Sequence, residues 1–324
     1  MATTAPWKEA RPTALLVLAD GTVIEGSGLG AVGTATGEVC FNTALTGYQE
    51  ILSDPSYSRQ IVTFTFPHIG NVGANDEDIE DLNPAARAGA VGAIFRADVT
   101  DPSNYRSGEH LDAWLKRRGI VALAGIDTRA LTAFLRDKGA ANAVIAHAPD
   151  GRFDVEALKE EARNWSGLIG LDLAKETTSG QSSTWTETPW VWNEGFGQAD
   201  ETPLHVVAVD YGVKRNILRL LSSLGARVTV VPATSSADDI LALRPDGIFL
   251  SSGPGDPEAT GEYAVPMIRE LLKTDIPLFG ICLGHQLLAL ALGAETVKMH
   301  QGHHGANHPV KDFTTGKVEI VSMN

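Results

Sequence analysis

The chain has 324 residues, two cysteines and a formal net charge of −14. This length is enough for about two domains with filled cores. The acidic excess argues against a nucleic-acid or anionic-membrane partner, because both need clustered lysine and arginine. Two cysteines cannot form a disulfide framework, and no apolar run reaches membrane-spanning length. The composition therefore predicts a cytoplasmic protein.

The first part of the chain, residues 1–176, predicts a mixed α/β domain. Apolar residues on both sides of Asp20-Gly21 indicate a β-hairpin. Two helical patterns end at Gly119 and Gly139, as expected of glycine C-caps. Further strands are predicted at 61–66, 89–95 and 143–146, and helices at 110–118, 128–138 and 155–165.

Residues 177–203 predict a linker, because periodicity fails there and Ser, Thr, Gly and Pro are frequent. Tryptophans at 185, 190 and 192 indicate that this segment lies against a domain surface. From 204 to 324, strands alternate with helices, which predicts a parallel sheet with right-handed crossovers. The strands are predicted at 205–209, 227–231, 247–250 and 317–322, and the helices at 214–224, 237–243 and 262–273.

Cys282 follows a short apolar run that predicts a buried strand and precedes an Ala/Leu-rich segment that predicts a helix ending at Gly293. Gly280-x-Cys282-x-Gly284 is the thiol counterpart of the Gly-x-Ser-x-Gly nucleophile elbow. A helix N-terminus favours a thiolate and a developing oxyanion. The alternative is a small apolar residue at a strand end. The register of strand, glycines and helix favours the nucleophile.

A second turn, Ser252-Gly-Pro-Gly-Asp-Pro257, follows the strand predicted at 247–250. Both turns thus lie at carboxyl ends of parallel strands, where open α/β sheets place their sites. Because Pro254 has no N–H, an oxyanion donor is expected from Gly253 or Gly255, of which we select Gly255, together with Leu283. The alternative is an ordinary tight turn.

These two turns closely resemble those of the class I glutamine amidotransferases. Motifs elsewhere resemble the small subunit of carbamoyl phosphate synthetase more specifically. They are the stretches 41–50, 54–60, 67–73, 127–129 and 302–311. The resemblance extends from about residue 13 to the end and is weakest in the linker. It implies a first domain of the small-subunit type and an amidotransferase domain that is incomplete at its C-terminus.

The resemblance implies that Cys282 attacks the side-chain amide of glutamine, forms a glutamyl thioester and releases ammonia. A large subunit then uses the ammonia, ATP and bicarbonate to make carbamoyl phosphate for arginine and pyrimidine synthesis. The small subunit itself is expected to use no cofactor. Ser56 belongs to the first domain, so the domains should pack closely. The residues matching glutamine-binding positions are Ser56, Gly253, Gly255, Leu283, Gln286 and Asn324.

The sequence departs from the family's pattern at Asn324. In the family, the base and its orienting carboxylate lie on a later His-x-Glu segment, so we expect this chain to be truncated at its C-terminus. His285 is a weak alternative base because it shares a helix face with Cys282. Two other functions stay open: another class I amidotransferase, and a non-catalytic scaffolding subunit that has lost its triad.

Four other features receive structural interpretations. The histidines within 300–308 resemble a metal cluster by count, but no cysteine lies among them and we expect no metal there. The acidic stretch 75–81 is expected to be a solvated loop. Cys40 is expected to be a buried strand residue, and Asp127 a helix cap.

Overall fold

The computed structural model describes residues 11–82, 88–200 and 202–323. Asn324, which was predicted to hold glutamine, lies outside the described residues. The strands are β1 (Ala14–Leu18), β2 (Val23–Gly30), β3 (Gly33–Asn42), β4 (Gln60–Phe64), β5 (Gly92–Ile94), β6 (Val121–Ala124), β7 (Ala141–His147), β8 (Ser183–Trp185), β9 (Glu187–Val191), β10 (Gly195–Gln198), β11 (His205–Asp210), β12 (Arg227–Pro232), β13 (Gly247–Leu250), β14 (Leu278–Gly280), β15 (Gly305–Lys311) and β16 (Val318–Met323). The helices are α1 (Tyr48–Ser53), α2 (Leu111–Arg118), α3 (Thr128–Lys138), α4 (Val155–Asn164), α5 (Ala174–Thr177), α6 (Arg215–Ser223), α7 (Ala237–Ala242), α8 (Pro257–Leu271) and α9 (Leu283–Ala291), with a 3₁₀ turn at Pro55–Tyr57.

Seven strands close into a barrel in the order β1-β2-β6-β5-β4-β3-β7. The predicted hairpin is present, because β1 and β2 pair antiparallel around Asp20-Gly21. Strand β7 pairs with both β1 and β3, which closes the barrel. Strands β3, β4, β5 and β6 run parallel to one another. Their carboxyl ends therefore lie at the same end of the barrel.

Successive side chains along the parallel strands point to opposite faces, so apolar residues on the same strand pack into two separate cores. Val39, Ile61 and Ile94 belong to a cluster that also holds the apolar face of α3. The neighbouring residues Cys40 and Val62 belong to a different cluster, shared with α1 and α2. Cys40 is therefore a buried strand residue, as predicted. Asp127 is the predicted cap, since its carboxylate accepts from the first-turn amides of α3.

The second sheet has the order β14-β13-β11-β12-β8. Strands β11 to β14 are parallel, and β8 is antiparallel to its neighbour β12. Helix α6 packs on one face of this sheet, and α8 and α9 pack on the other. The predicted parallel α/β sheet is thus confirmed for the strands between 205 and 280. The strand predicted at 317–322 is present as β16, but it pairs antiparallel with β15 in a separate two-stranded sheet, so its place in the parallel sheet was wrong. None of the described helices is both long enough and apolar enough to cross a membrane.

The segment predicted as a linker contains the strands β8, β9 and β10. Trp185 of β8 packs into the core between the sheet and α6. Trp192 makes an edge contact with Tyr105 of the first domain, and the Arg106 guanidinium lies 4.9 Å from the Trp190 ring centroid. The aromatic side chains of this segment therefore contact both halves of the chain. The boundaries at 176 and 203 stay a prediction.

The expectation of a solvated loop at 75–81 is right for only part of the stretch, because Asp76 and Glu77 are exposed whereas residues 79–81 are buried. Asp81 is almost fully buried and pairs at 2.7 Å with the buried guanidinium of Arg118. Glu80 is also buried, and its carboxylate accepts from the backbone N–H of Asn216 at 2.9 Å. These partners lie far away in the sequence, so charge patterning alone could not reveal that the stretch is covered.

Candidate functional site

Cys282 lies on the turn between β14 and α9, as predicted, with an unusual backbone conformation (φ 52°, ψ −113°). Few residues other than glycine adopt positive φ, and such strain clusters at functional sites. The flanking glycines are needed for packing. A Cβ on Gly284 would lie 2.1 Å from the Leu250 carbonyl oxygen, and one on Gly280 would lie 2.7 Å from the Gly284 backbone.

Two backbone hydrogen bonds hold this elbow against the end of β13. The N–H of Ile281 donates to the Leu250 carbonyl at 3.1 Å, and the N–H of Gly284 donates to the Ser251 carbonyl at 2.9 Å. The loop after β13 is itself held against β11, since the Ser251 hydroxyl accepts from the N–H of Tyr211 at 2.9 Å. The carboxyl ends of three neighbouring parallel strands therefore fix the position of the thiol.

The environment of the thiol favours its protonated form. The Cys282 pKa is raised, first because the surrounding protein excludes water and then because Asp54 is negatively charged. The backbone amides of Leu283 and Gly253 donate to the sulfur, and Lys214 lies nearby, and all three lower the pKa. The side chain is nevertheless exposed on one side, so a substrate has access to it.

These two amides are also the nearest candidates for an oxyanion hole. Leu283 is the donor that the sequence predicted, and in this structure Gly253 rather than Gly255 provides the second amide at the sulfur. Gly255 has φ 98°, and a Cβ there would lie 2.6 Å from the Leu171 carbonyl oxygen. That glycine therefore allows the loop to pack against the segment before α5, while its role toward glutamine stays a prediction.

A cleft of about 390 Å³ lies in front of Cys282, between the barrel and the parallel sheet. Ser56 lines this cleft from the barrel side, within the 3₁₀ turn after α1. The sequence therefore predicted correctly that the barrel side faces the cysteine. The remaining lining residues are Glu50, Ile51, Asp54, Glu80, Lys214, Asn216, Ile217, Ser252, Ile281 and Ser322.

An ion pair across the cleft joins the two halves of the chain. The carboxylate of Asp54 is 1% exposed and lies 2.8 Å from the Lys214 ammonium group at the start of α6. The same carboxylate accepts from the N–H of Ser56 at 2.9 Å, so it also fixes the 3₁₀ turn. Sequence reasoning assigned no role to either charged residue. The Asp54-Pro55 dipeptide, a typical helix start, was the available signal.

Two carboxyl groups in the cleft have raised pKa values. Burial, together with the negative charges of Asp78 and Glu80, raises the pKa of Glu50 to about 7, although its own backbone N–H and Arg106 oppose the shift. Burial also raises the pKa of Glu80, although the Asn216 N–H and the Lys214 charge oppose the shift. The cleft therefore contains a cation, one carboxyl group with a pKa near neutrality, Glu50, and a second carboxyl group with a raised pKa, Glu80.

The remaining predicted residues are more scattered. Gln286 is exposed one turn along α9, and its N–H donates to the Cys282 carbonyl at 3.0 Å. His285 is also exposed on α9.

The ring centroid of His304 lies 5.3 Å from that of Tyr57, and burial lowers the His304 pKa to about 4. Among the described residues, no three His, Cys, Asp or Glu side chains are arranged to hold a metal ion.

Family comparisons cover both halves of the chain. Residues 16–145 match the family described as carbamoyl-phosphate synthase small chain, CPSase domain, and residues 207–324 match glutamine amidotransferase class-I. The carbamoyl phosphate synthase small chain of Mesorhizobium japonicum is 78% identical over 99% of this chain and 81% of its own length. The small chain of Agrobacterium fabrum is 73% identical over 100% of this chain and 81% of its length.

A third relative, the carbamoyl phosphate synthase small chain of Bradyrhizobium diazoefficiens, is 70% identical over 98% of this chain and 80% of its own length. Among solved structures, an aminopeptidase from Aneurinibacillus covers 87% of this chain at 13% identity with a TM-score of 0.26. The matched region is 70% of the aminopeptidase chain. A TM-score this low carries no argument about fold or function.

Proposed function

The chain belongs to the carbamoyl-phosphate synthase small chain family, and we propose that its Cys282 is the nucleophile that hydrolyses glutamine. The small chain is the glutamine-hydrolysing subunit of the synthase. The observation that carries the proposal is the strained elbow, which presents an accessible thiol to a cleft shared with Ser56. A nucleophile on a tight strand-to-helix turn, beside two backbone donors, is the arrangement that acyl transfer needs.

The proposed reaction begins when the Cys282 sulfur, having lost its proton, attacks the side-chain amide carbon of glutamine. The carbonyl electron pair moves to oxygen, where the amides of Leu283 and Gly253 stabilise the charge. The C–N bond then breaks, the nitrogen takes up the proton, and ammonia leaves a glutamyl thioester. Water hydrolyses that thioester to glutamate and restores the thiol. Because the thiol pKa is raised, attack depends on a base that removes the proton.

We assign the substrate contacts in line with this geometry. Ser56 is proposed to hold glutamine from the barrel side, where the Asp54 carboxylate fixes its backbone. Gly253, Gly255 and Gln286 are proposed to complete the pocket from the sheet side, together with Asn324. Lys214, which the sequence did not suggest, is placed to attract the α-carboxylate of the substrate.

We further propose that the ammonia serves a large subunit, which combines it with bicarbonate and ATP to form carbamoyl phosphate. This chain is proposed to need no cofactor of its own, and to act in the cytoplasm, where its two cysteines stay reduced. A glutaminase of another class I amidotransferase is not favoured, because residues 16–145 match the small-chain domain.

The test is alkylation of the full-length protein by a glutamine analogue that carries an electrophilic carbon in place of the amide. Peptide mass spectrometry should place the adduct on Cys282 and leave Cys40 unmodified, and excess glutamine should protect the thiol. Cys282→Ala should release no glutamate. An adduct on Cys40, or unchanged glutamate release by the variant, would count decisively against the proposal. Large-subunit binding without any glutamate release by the wild type would instead support a scaffolding subunit.

A further inference from the structure

A second concave surface, of about 700 Å³, lies away from Cys282 at one end of the barrel. Three of its lining residues lie just beyond the ends of parallel strands: Thr43 after β3, Thr65 after β4, and Arg96 two residues after β5. Pro67 also lines the surface, and the rest of its wall is α3, which follows β6. The surface thus lies at the carboxyl ends of parallel strands, the edge where α/β folds place binding sites.

Helix α3 turns a single face toward this surface. Arg129, Thr132, Ala133 and Arg136 line it, and their spacing of three, four and seven residues from Arg129 places them on one side of the helix. The opposite side of α3 carries Leu131 and Leu135 into the barrel core. The burial of this apolar face fixes which side chains α3 presents outward, so the two arginines point to the surface together.

The three guanidinium groups, Arg96, Arg129 and Arg136, form what we call the arginine surface. Arg96 uses one nitrogen to contact Asp127 at 3.1 Å, and Arg136 uses its Nε to contact Asp137 at 3.2 Å. Arg129 makes no ion pair or hydrogen bond through its guanidinium within the described ranges. Since each guanidinium has five N–H donors, most of the donors remain free for a ligand.

We propose that the arginine surface docks an acidic segment of the large subunit, through ion pairs between its guanidinium groups and aspartate or glutamate carboxylates. This inference rests on the proposed function, which supplies the partner. Guanidinium groups bind carboxylates in a two-pronged geometry and are frequent at interfaces. A cationic surface on a chain of net charge −14 can also attract an acidic partner electrostatically.

The shape of the site favours a macromolecular partner over a small anion. The side chains of Arg96 and Arg136 are 48% and 64% exposed, whereas small-molecule sites bury most of their ligand. The surface also has a short structural connection to the cleft. Thr43 donates its N–H to the His304 carbonyl at 3.0 Å, and the His304 ring contacts Tyr57, beside Ser56. A partner docked here is therefore linked through Thr43, His304 and Tyr57 to the turn that carries Ser56.

The test compares binding of the full-length small chain to the purified large subunit by surface plasmon resonance. The double variant Arg129→Glu/Arg136→Glu reverses two charges of the arginine surface. The control, Arg152→Glu/Arg163→Glu, makes the same charge change at exposed residues outside it. We expect the first variant to raise Kd by roughly 100-fold, mostly through slower association and with less salt dependence, and the control to change it less than about threefold.

Glutamate release by the isolated small chain and its melting temperature should be unchanged in both variants, which separates docking from folding and from chemistry. Equal binding by wild type and the arginine-surface variant would overturn the inference while leaving the proposed function intact. An equal loss of affinity for the large subunit in both variants would also overturn the inference, because net charge rather than this surface would then govern docking. If the wild type binds no large subunit, this inference fails together with the proposed supply of ammonia to that subunit, whereas glutamate release still tests the role of Cys282 separately.

Discussion

Cys40 and Cys282 lie in regions of different architecture, a closed barrel and an open sheet. Cys40 lies within β3 of the closed barrel, and only 7% of its surface is exposed. Burial and the nearby Glu38 raise its pKa far above the usual range of a thiol. Cys282 lies at the end of a strand in an open sheet, with a positive φ and two backbone donors at its sulfur. The same side chain is thus a packing residue in one region and a proposed nucleophile in the other.

The contrast shows that backbone geometry, more than residue type, determines what a cysteine does here. In the barrel every strand is paired on both sides, and side chains fill two cores. At the elbow the decisive feature is clearance between backbones, since both glycines touch neighbouring backbone atoms. Substitutions in the barrel should therefore mainly change stability, whereas substitutions at the elbow should change catalysis.

The most severe test of the elbow is Gly284→Ala. Its Cβ would lie 2.1 Å from the Leu250 carbonyl oxygen, so α9 must move relative to β13. We expect kcat/KM for glutamine to fall by roughly 100-fold or more, since a displacement of about 1 Å is enough for such a loss. The free energy of unfolding should fall by about 3 kcal/mol.

The matched control for that substitution is Gly180→Ala, since a Cβ at Gly180 meets nothing within 4 Å. The control should keep its stability and its glutamine kinetics. Glutamine turnover by Gly284→Ala at the wild-type rate would show that close packing of the two turns is not required.

The corresponding test of the barrel is Arg118→Leu. This change leaves the Asp81 carboxylate, 1% exposed, without its partner, and it removes a guanidinium 5.2 Å from the Trp114 ring. Urea denaturation should show a loss of about 3–5 kcal/mol in the free energy of unfolding. The folded fraction should keep its glutamine kinetics, because the pair does not line the Cys282 cleft.

A control for the barrel prediction is Arg152→Leu, whose side chain is 86% exposed and whose ion pair is long, at 3.8 Å. Its stability should stay within about 0.5 kcal/mol of wild type. A second check is the double variant Arg118→Leu/Asp81→Leu, which should recover part of the loss because no buried charge remains unpaired. A loss no larger than that of the control would show that the buried pair is not essential to the barrel.

Local signals were sufficient for the parallel sheet. Apolar runs followed by helical patterns predicted β11, β12, β13 and the elbow, because each strand–helix unit lies within about 30 consecutive residues. The start of α8 was also readable, because Asp256 caps it and Pro257 occupies its first turn. The start predicted at 262 was wrong, because the Asp256 cap begins the helix at Pro257.

Barrel closure had no comparable signal. Strand β1 pairs with β7, so Leu16 lies opposite Ile145, and nothing in either segment specifies the other. Only the part of β3 around Cys40 was predicted, because the first half of this strand is rich in Gly and Thr. The cross-domain contacts were equally hidden: Glu80 accepts from an amide 136 residues away in the sequence. Contacts of this kind depend on the assembled fold, which residue periodicity does not specify.

Stability should depend on pH through Glu50, which lines the cleft between the barrel and the parallel sheet. The Glu50 pKa is raised from 4.5 to about 7, mainly by burial and then by Asp78 and Glu80, against the opposing charge of Arg106. The folded state therefore keeps this proton at pH values where the unfolded state has lost it. Stability should fall as pH rises from about 4.5 to about 7, and Glu50→Gln should remove that part of the fall.

Thermal or urea unfolding at several pH values measures this effect. Relative to wild type, Glu50→Gln should gain about 2 kcal/mol between pH 4.5 and pH 7.5, allowing for partial solvation of the group. The exposed residue Glu160 of α4 provides the control, and Glu160→Gln should follow the wild-type curve. Parallel curves for wild type and Glu50→Gln would mean that Glu50 is not buried in its protonated form.

The smallest expected effect concerns the second cysteine. Cys40→Ala removes one sulfur atom from the core shared with α1 and α2, so it should lower the free energy of unfolding by about 1 kcal/mol. Glutamine hydrolysis should be unchanged. Cys282→Ala should do the reverse, abolishing hydrolysis while leaving the unfolding midpoint within about 0.5 kcal/mol of wild type, because its side chain is exposed.

Thiol labelling of the native protein completes this test, because each variant should lose a different one of the two labels. Wild type should take up one maleimide label when folded and a second only in denaturant. Cys40→Ala should keep the fast label and lose the slow one, and Cys282→Ala should lose the fast label. If both thiols react at similar rates in the native state, the barrel does not shield Cys40, and the difference between closed barrel and open elbow is smaller than their geometry indicates.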